Sequence, residues 1–74
     1  MRTFRDEGGR DWDVVPGRES WGGIVALFIP RGDATIVRQV ALDGSSPLEA
    51  ASQLSELSED ELRALLRESE PRNP

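Results

Sequence analysis

A chain of 74 residues, 36% of them hydrophobic, makes one small domain with a thin stability margin. It has no cysteine, histidine, lysine or tyrosine, so disulfides, thiolate or imidazole metal sites and the commonest general bases are excluded. The formal net charge of −5 disfavours general attraction to nucleic acid or to an anionic membrane surface.

The charge is uneven. Residues 1–40 hold six arginines and six acids, whereas residues 41–74 hold three arginines and eight acids. The longest apolar run, Ile24 to Ile29, is far shorter than the roughly 20 residues a spanning helix needs. The opening MRTFRDEGGR lacks the apolar stretch of a secretory signal, so a cytoplasmic protein is expected.

In chain order, RTFRD (2–6) and DWDVV (11–15) read as a hairpin closed by EGGR, with Trp12 and Val14 on one face and Asp11 and Asp13 on the other. Pro16-Gly17 is expected to end the second strand. The third strand falls within 21–30. Its run IVALFI reads as a strand buried on both faces, with Ile24, Ala26 and Phe28 pointing one way and Val25, Leu27 and Ile29 the other. Gly22 and Gly23 suggest a bulge or a close backbone approach. RGDA (31–34) is a turn, and TIVRQVAL (35–42) is a fourth strand with one face partly wet.

Two helices follow. Ser46 caps a helix over 47–55 that begins with Pro47, and Leu48, Ala51 and Leu54 are its expected apolar stripe. Ser58 with Glu61 forms a capping box for a helix over 58–69, with Leu57 and Leu62 as a hydrophobic staple. Leu62, Leu65 and Leu66 form its stripe, and residues 71–74 are expected to be a disordered tail. The fold class is therefore α+β: a four-stranded antiparallel meander with both helices packed on one face.

The opening also carries a resemblance. TFRDEGGRDWDVV is similar to the start of short bacterial proteins that open with a TF-x-D-x-x-G-R-x-W-x-V hairpin, matching at Thr3, Phe4, Asp6, Gly9, Arg10, Trp12 and Val14. The resemblance implies a turn between two strands and carries no activity or site residue with it.

Few residues point to chemistry. Acids are plentiful, but no serine has a base of the usual kinds, so catalysis is not expected and neither a cofactor nor a metal is called for. Arg31-Gly32-Asp33 spells an adhesion tripeptide but reads as a turn, and neither glycine doublet fits a phosphate-binding loop. The two tryptophans are core or core-edge residues on the plain reading and interface anchors on the functional one. The candidate partner-binding residues are Arg18, Glu19 and Trp21, with Trp12 nearby. The expected function is a non-catalytic protein-interaction module that binds a protein partner or a second copy of itself. The alternative is a small nucleic-acid-binding sheet that uses Arg2, Arg5, Arg18, Arg38 and the tryptophans. Cross-strand ion pairs on a solvated face are the plainer account of those arginines.

Overall fold

A computed structural model describes residues 2–19, 22–33, 35–43 and 46–72. The chain runs through β1 (Arg2–Arg5), β2 (Asp11–Arg18), β3 (Ile24–Pro30), β4 (Arg38–Leu42), α1 (Pro47–Glu56), α2 (Glu59–Glu68) and a short β5 (Glu70–Pro71). All neighbouring strands pair antiparallel in the order β1-β2-β3-β4-β5. The α+β meander read from the sequence is thus present, with one short strand added at its far edge.

Each β2 position below pairs with a β3 residue on the same face. Trp12, Val14 and Pro16 stand opposite Pro30, Phe28 and Ala26, and this face lies under the helices. Phe4, Trp12, Val14, Ala26 and Phe28 meet Leu54 of α1 and Leu62 of α2 in one core, where the Phe4 and Phe28 rings pack edge to face at 5.9 Å. β3 is the most buried strand, as its apolar run predicts: Ile24, Ala26 and Phe28 are buried under the helices, and Val25 is buried on the other face.

The hairpin at the start is organised by one carboxylate. Asp6 accepts hydrogen bonds from the backbone N–H groups of Gly8 and Arg10 at 2.8 and 2.9 Å, and from the Trp12 indole at 2.8 Å. Gly9 takes a φ of 88° there, which glycine reaches without strain. The Trp12 indole above all, helped by these backbone donors, holds the Asp6 carboxyl below its ordinary pKa.

Both helix starts form as their caps predict. Ser46 accepts from Glu49 N–H, with Pro47 in the first turn, and the Ser58–Glu61 box is closed in both directions at 3.1 Å. Leu57 and Leu62 both reach the core. The stripe of α1 differs from the reading Leu48–Ala51–Leu54. Ala50 and Leu54 are the buried pair, Ala51 is exposed and Leu48 is 81% exposed. Residues four apart stack on one helix face, so once Leu54 enters the core Ala50 follows and Leu48 turns outward.

Several bounds also differ. β2 runs through Pro16 and Gly17 to Arg18 rather than stopping at 15. The carbonyl of Asp11 accepts from Arg31 N–H on the β3 side. By alternation, Pro16 turns its nitrogen to the β1 side, where β1 has already ended opposite Val14, so the missing N–H costs no ladder bond. β3 begins at Ile24, not 21: Gly22 N–H donates to Glu19 O, Glu19 N–H donates to Gly23 O, and Gly22 has a φ of 97°, which glycine reaches without strain. β4 begins at Arg38, not 35, because Asp33 accepts from the Thr35 backbone and hydroxyl and shapes a longer connection.

Glu70 and Pro71 pair with Gln39 and Arg38, and Arg72 N–H donates to Val37 O, so the chain is anchored beyond α2 where a tail was expected. Ser45, Asn73 and Pro74 lie outside the described residues.

The sign of the Asp6 effect is definite. An ionised Asp6 stabilises the fold fully above the unfolded carboxyl pKa, and this contribution is lost as pH falls through the lowered folded value. Asp6→Asn leaves at least one of its three donors facing an amide N–H. It should lower the unfolding free energy at neutral pH by about 1–3 kcal/mol. It should also flatten the pH dependence of stability below about pH 4. Urea unfolding followed by tryptophan fluorescence across pH reads both effects.

Candidate interaction surface

The helices cover one face of the sheet, and among the described residues no second layer covers the opposite face. Alternation puts Val15 of β2, Val25, Leu27 and Ile29 of β3 and Gln39 and Ala41 of β4 on it. Val15, Leu27 and Ile29 are half-buried, whereas Val25 is only 4% exposed. Gly17 lies beneath Leu27: a Cβ there would sit 2.7 Å from Leu27 Cδ1 and 3.0 Å from its Cγ. The backbone at Gly17 does not need positive φ, so what it supplies is room for the leucine to lie flat.

Ion pairs frame this apolar strip. At one end Arg5 Nε meets Asp11 at 2.9 Å and Arg31 Nε meets Asp13 at 3.4 Å, while Thr3 also donates to Asp13 at 2.8 Å. The hydrogen bond and charge between Arg5 and Asp11 raise the guanidinium pKa and lower the carboxyl pKa. At the other end Arg72 Nη1 donates to Glu19 at 2.5 Å and to Gln39 at 2.7 Å, tying the β2 end to β4 and to the segment after β5. Arg5–Asp11 and Arg31–Asp13 are of the kind that the alternating acids and arginines predict, whereas Arg72–Glu19 is not. Exposed pairs of this kind add little stability, so their main effect is to set the charge pattern of the face.

The described members of the predicted partner-binding set, Trp12, Arg18 and Glu19, do not form one cluster. Trp12 is 5% exposed, with its indole N–H on Asp6, so its ring is part of the core and not a surface anchor. The two strands that bracket it under α2 bury it, which alternation alone could not reveal. Arg18 is exposed at the end of β2 and falls on the helix side by alternation, while Glu19 is on the rim, bound by Arg72. Trp21 lies outside the described residues.

The arginines of the alternative reading are also split. Arg2 donates to Ser55 O at 2.9 Å, Arg38 is held by Ser69 on the helix side, and Arg5 is on the opposite face. Arg5 thus stands apart from Arg2 and Arg38, whereas Trp12, though buried, lies on the helix side with Arg38 and lines a cleft with it. The residues that sequence reasoning missed are Val15, Leu27, Ile29 and Arg72. The first three were legible as one face of the strands, but only the packing of both helices on the other side leaves them uncovered.

No family model, curated protein or solved structure matches this chain. No helix of the described residues is long and apolar enough to cross a membrane.

Gly17→Ala should force Leu27 upright and destabilise the domain by about 1–3 kcal/mol. In the Gly17→Ala/Leu27→Ala double variant the two costs should be less than additive, because the clash is gone. Chemical denaturation of the four species measures the coupling.

Proposed function

We propose that this chain is a non-catalytic protein-interaction module, resident in the cytoplasm, whose partner is a second copy of itself docked on the helix-free face of the sheet. The observation that carries this reading is the half-buried strip of Val15, Leu27 and Ile29 at the centre of an uncovered sheet face framed by arginine–carboxylate pairs. A small domain with one covered sheet face gains most by burying the other, and oligomerisation is one of the few routes open to a chain without disulfides.

Charge favours a second copy on this face over a meeting of helices. The helices expose Glu56, Glu59, Asp60, Glu61 and Glu68, so two copies meeting there would bring like charges together. The sheet face carries both signs in adjacent pairs, with Glu70 beyond them at the far edge, and such a face is complementary to itself under a two-fold axis. The two longer extents of the molecule are 32 and 28 Å, so its broad face is on the scale of the roughly 800 Å² per partner of a standard interface. Support for a non-catalytic role comes from composition: histidine, the commonest general base at neutral pH, and the cysteine and lysine nucleophiles are absent, so no serine has its usual activating base.

Light scattering after gel filtration at high micromolar concentration should give the dimer mass. Leu27→Glu, or the milder Leu27→Thr that keeps strand propensity, should raise the dissociation constant at least about tenfold. Leu48→Glu, on an exposed helix position, should leave it unchanged. A monomer mass at every concentration would sink this reading.

A further inference from the structure

The molecule has a second feature on the opposite side of the sheet. A cleft of about 340 Å³ opens between the β1–β2 turn and α2, lined by Glu7, Trp12, Arg38, Arg63, Leu66 and Arg67 among others. We infer that this cleft binds a small phosphate-bearing anion through Arg38, Arg63 and Arg67.

Arg38 is the centre of the argument. It is half-buried on the helix side of β4. Its Nε donates to Ser69 Oγ at 2.8 Å and its Nη2 to Ser69 O at 2.5 Å. Among the described residues no carboxylate side chain pairs with it. A guanidinium has five N–H donors, so several remain after Ser69 is served. A partly desolvated cation without a counter-charge is costly, and an anion in the adjacent cleft removes that cost.

The other two arginines stand four residues apart on α2 and therefore share a face. Arg63 is fixed by Arg5 O at 2.7 Å, by Asp60 at 2.8 Å and, more loosely, by Glu59 at 3.8 Å, and it contributes charge to the cleft from that position. Arg67 is engaged by the exposed carboxylate of Glu7 in the β1–β2 turn. Glu7 thus shows that Arg67 takes an oxyanion at this place, and it is the group an incoming ligand has to displace. Asp6 does not compete for the arginines, because its oxygens are taken by Gly8, Arg10 and Trp12.

The ligand chemistry follows from the donors. Guanidiniums on different elements suit a tetrahedral dianion, whose oxygens can accept from several forks at once, better than one planar carboxylate. The cleft is at the small end of the range for small-molecule sites, and Trp12 and Leu66 give it an apolar wall. A phosphomonoester or inorganic phosphate shares this chemistry.

The test is a titration of the ¹⁵N-labelled chain at constant ionic strength with inorganic phosphate, glycerol phosphate and acetate, following the Trp12 indole N–H. Saturable shifts with either phosphate, and weaker ones with acetate, are expected; whichever phosphate saturates first identifies the free ion or the ester as the source. Arg67→Ala, at an exposed position, should weaken binding about tenfold. Glu7→Gln should tighten it several-fold by removing the internal competitor. Shifts that do not saturate, that acetate reproduces equally, or that Arg67→Ala leaves unchanged would overturn the inference, as would weaker binding by Glu7→Gln. Leu27→Thr, altered on the other face, should titrate like the parent, so this inference and the self-association reading fail separately.

Discussion

The Asp6 carboxylate holds together the part of the molecule on which the rest is built. Its three accepted hydrogen bonds close the β1–β2 turn and fix the Trp12 indole from below. Trp12 can then bury its polar edge without leaving an unpaired donor, which a tryptophan inside so small a core requires. The ring fills the sheet under α2 beside Phe4 and Phe28, and Leu62 seals the cluster. Most residues of the opening hairpin motif have a place here: Asp6 as acceptor, Gly9 for its backbone, Thr3 as a donor to Asp13, and Phe4, Trp12 and Val14 as core.

The helices are fastened to the same edge. Arg63 donates to the carbonyl of Arg5, and Arg2 donates to the carbonyl of Ser55. Both bonds use groups of the outermost strand, so they tie the helical layer down and occupy part of an edge that could otherwise recruit a foreign strand. At the far side Ser69 ends α2, accepts from Arg38 and leads at once into β5, which shields the start of β4. A layer of two ten-residue helices held at both margins covers one face and cannot reach the other.

That limit separates the two proposed surfaces. The helix-free face is an apolar strip between balanced ion pairs, suited to a flat and self-complementary contact. The cleft beside α2 is a concave place where guanidiniums converge and one exposed glutamate already occupies a donor. The two use different sides of the sheet and different physics, desolvation of apolar area in one and charge-assisted hydrogen bonding in the other. The hairpin links them, since Arg5 and Asp11 belong to the flat face while Asp6, Glu7 and Trp12 border the cleft.

Local rules carried much of the fold in the sequence itself. Ser46-Pro47 and Ser58-x-x-Glu61 mark helix starts because they satisfy amides that every helix leaves open. The run Ile24 to Ile29 marks a strand because its period fits no solvated element, but of its second face only Val25 is buried while Leu27 and Ile29 are half-buried. The alternation of acids and arginines marked the ion-paired face. What needed tertiary structure was every feature set by distant partners. Pro16-Gly17 continues a strand because β1 has ended beside it, and Leu48 faces solvent because Leu54 takes the core. Arg72 anchors the chain end because Glu19 and Gln39 stand together only in the folded sheet. Arg38, Arg63 and Arg67 converge, and the tryptophan beside them is buried, through the packing of α2 on the hairpin. Local amide satisfaction and side-chain period are written in neighbouring residues, whereas burial and convergence depend on which elements meet, and here both helices meet one face.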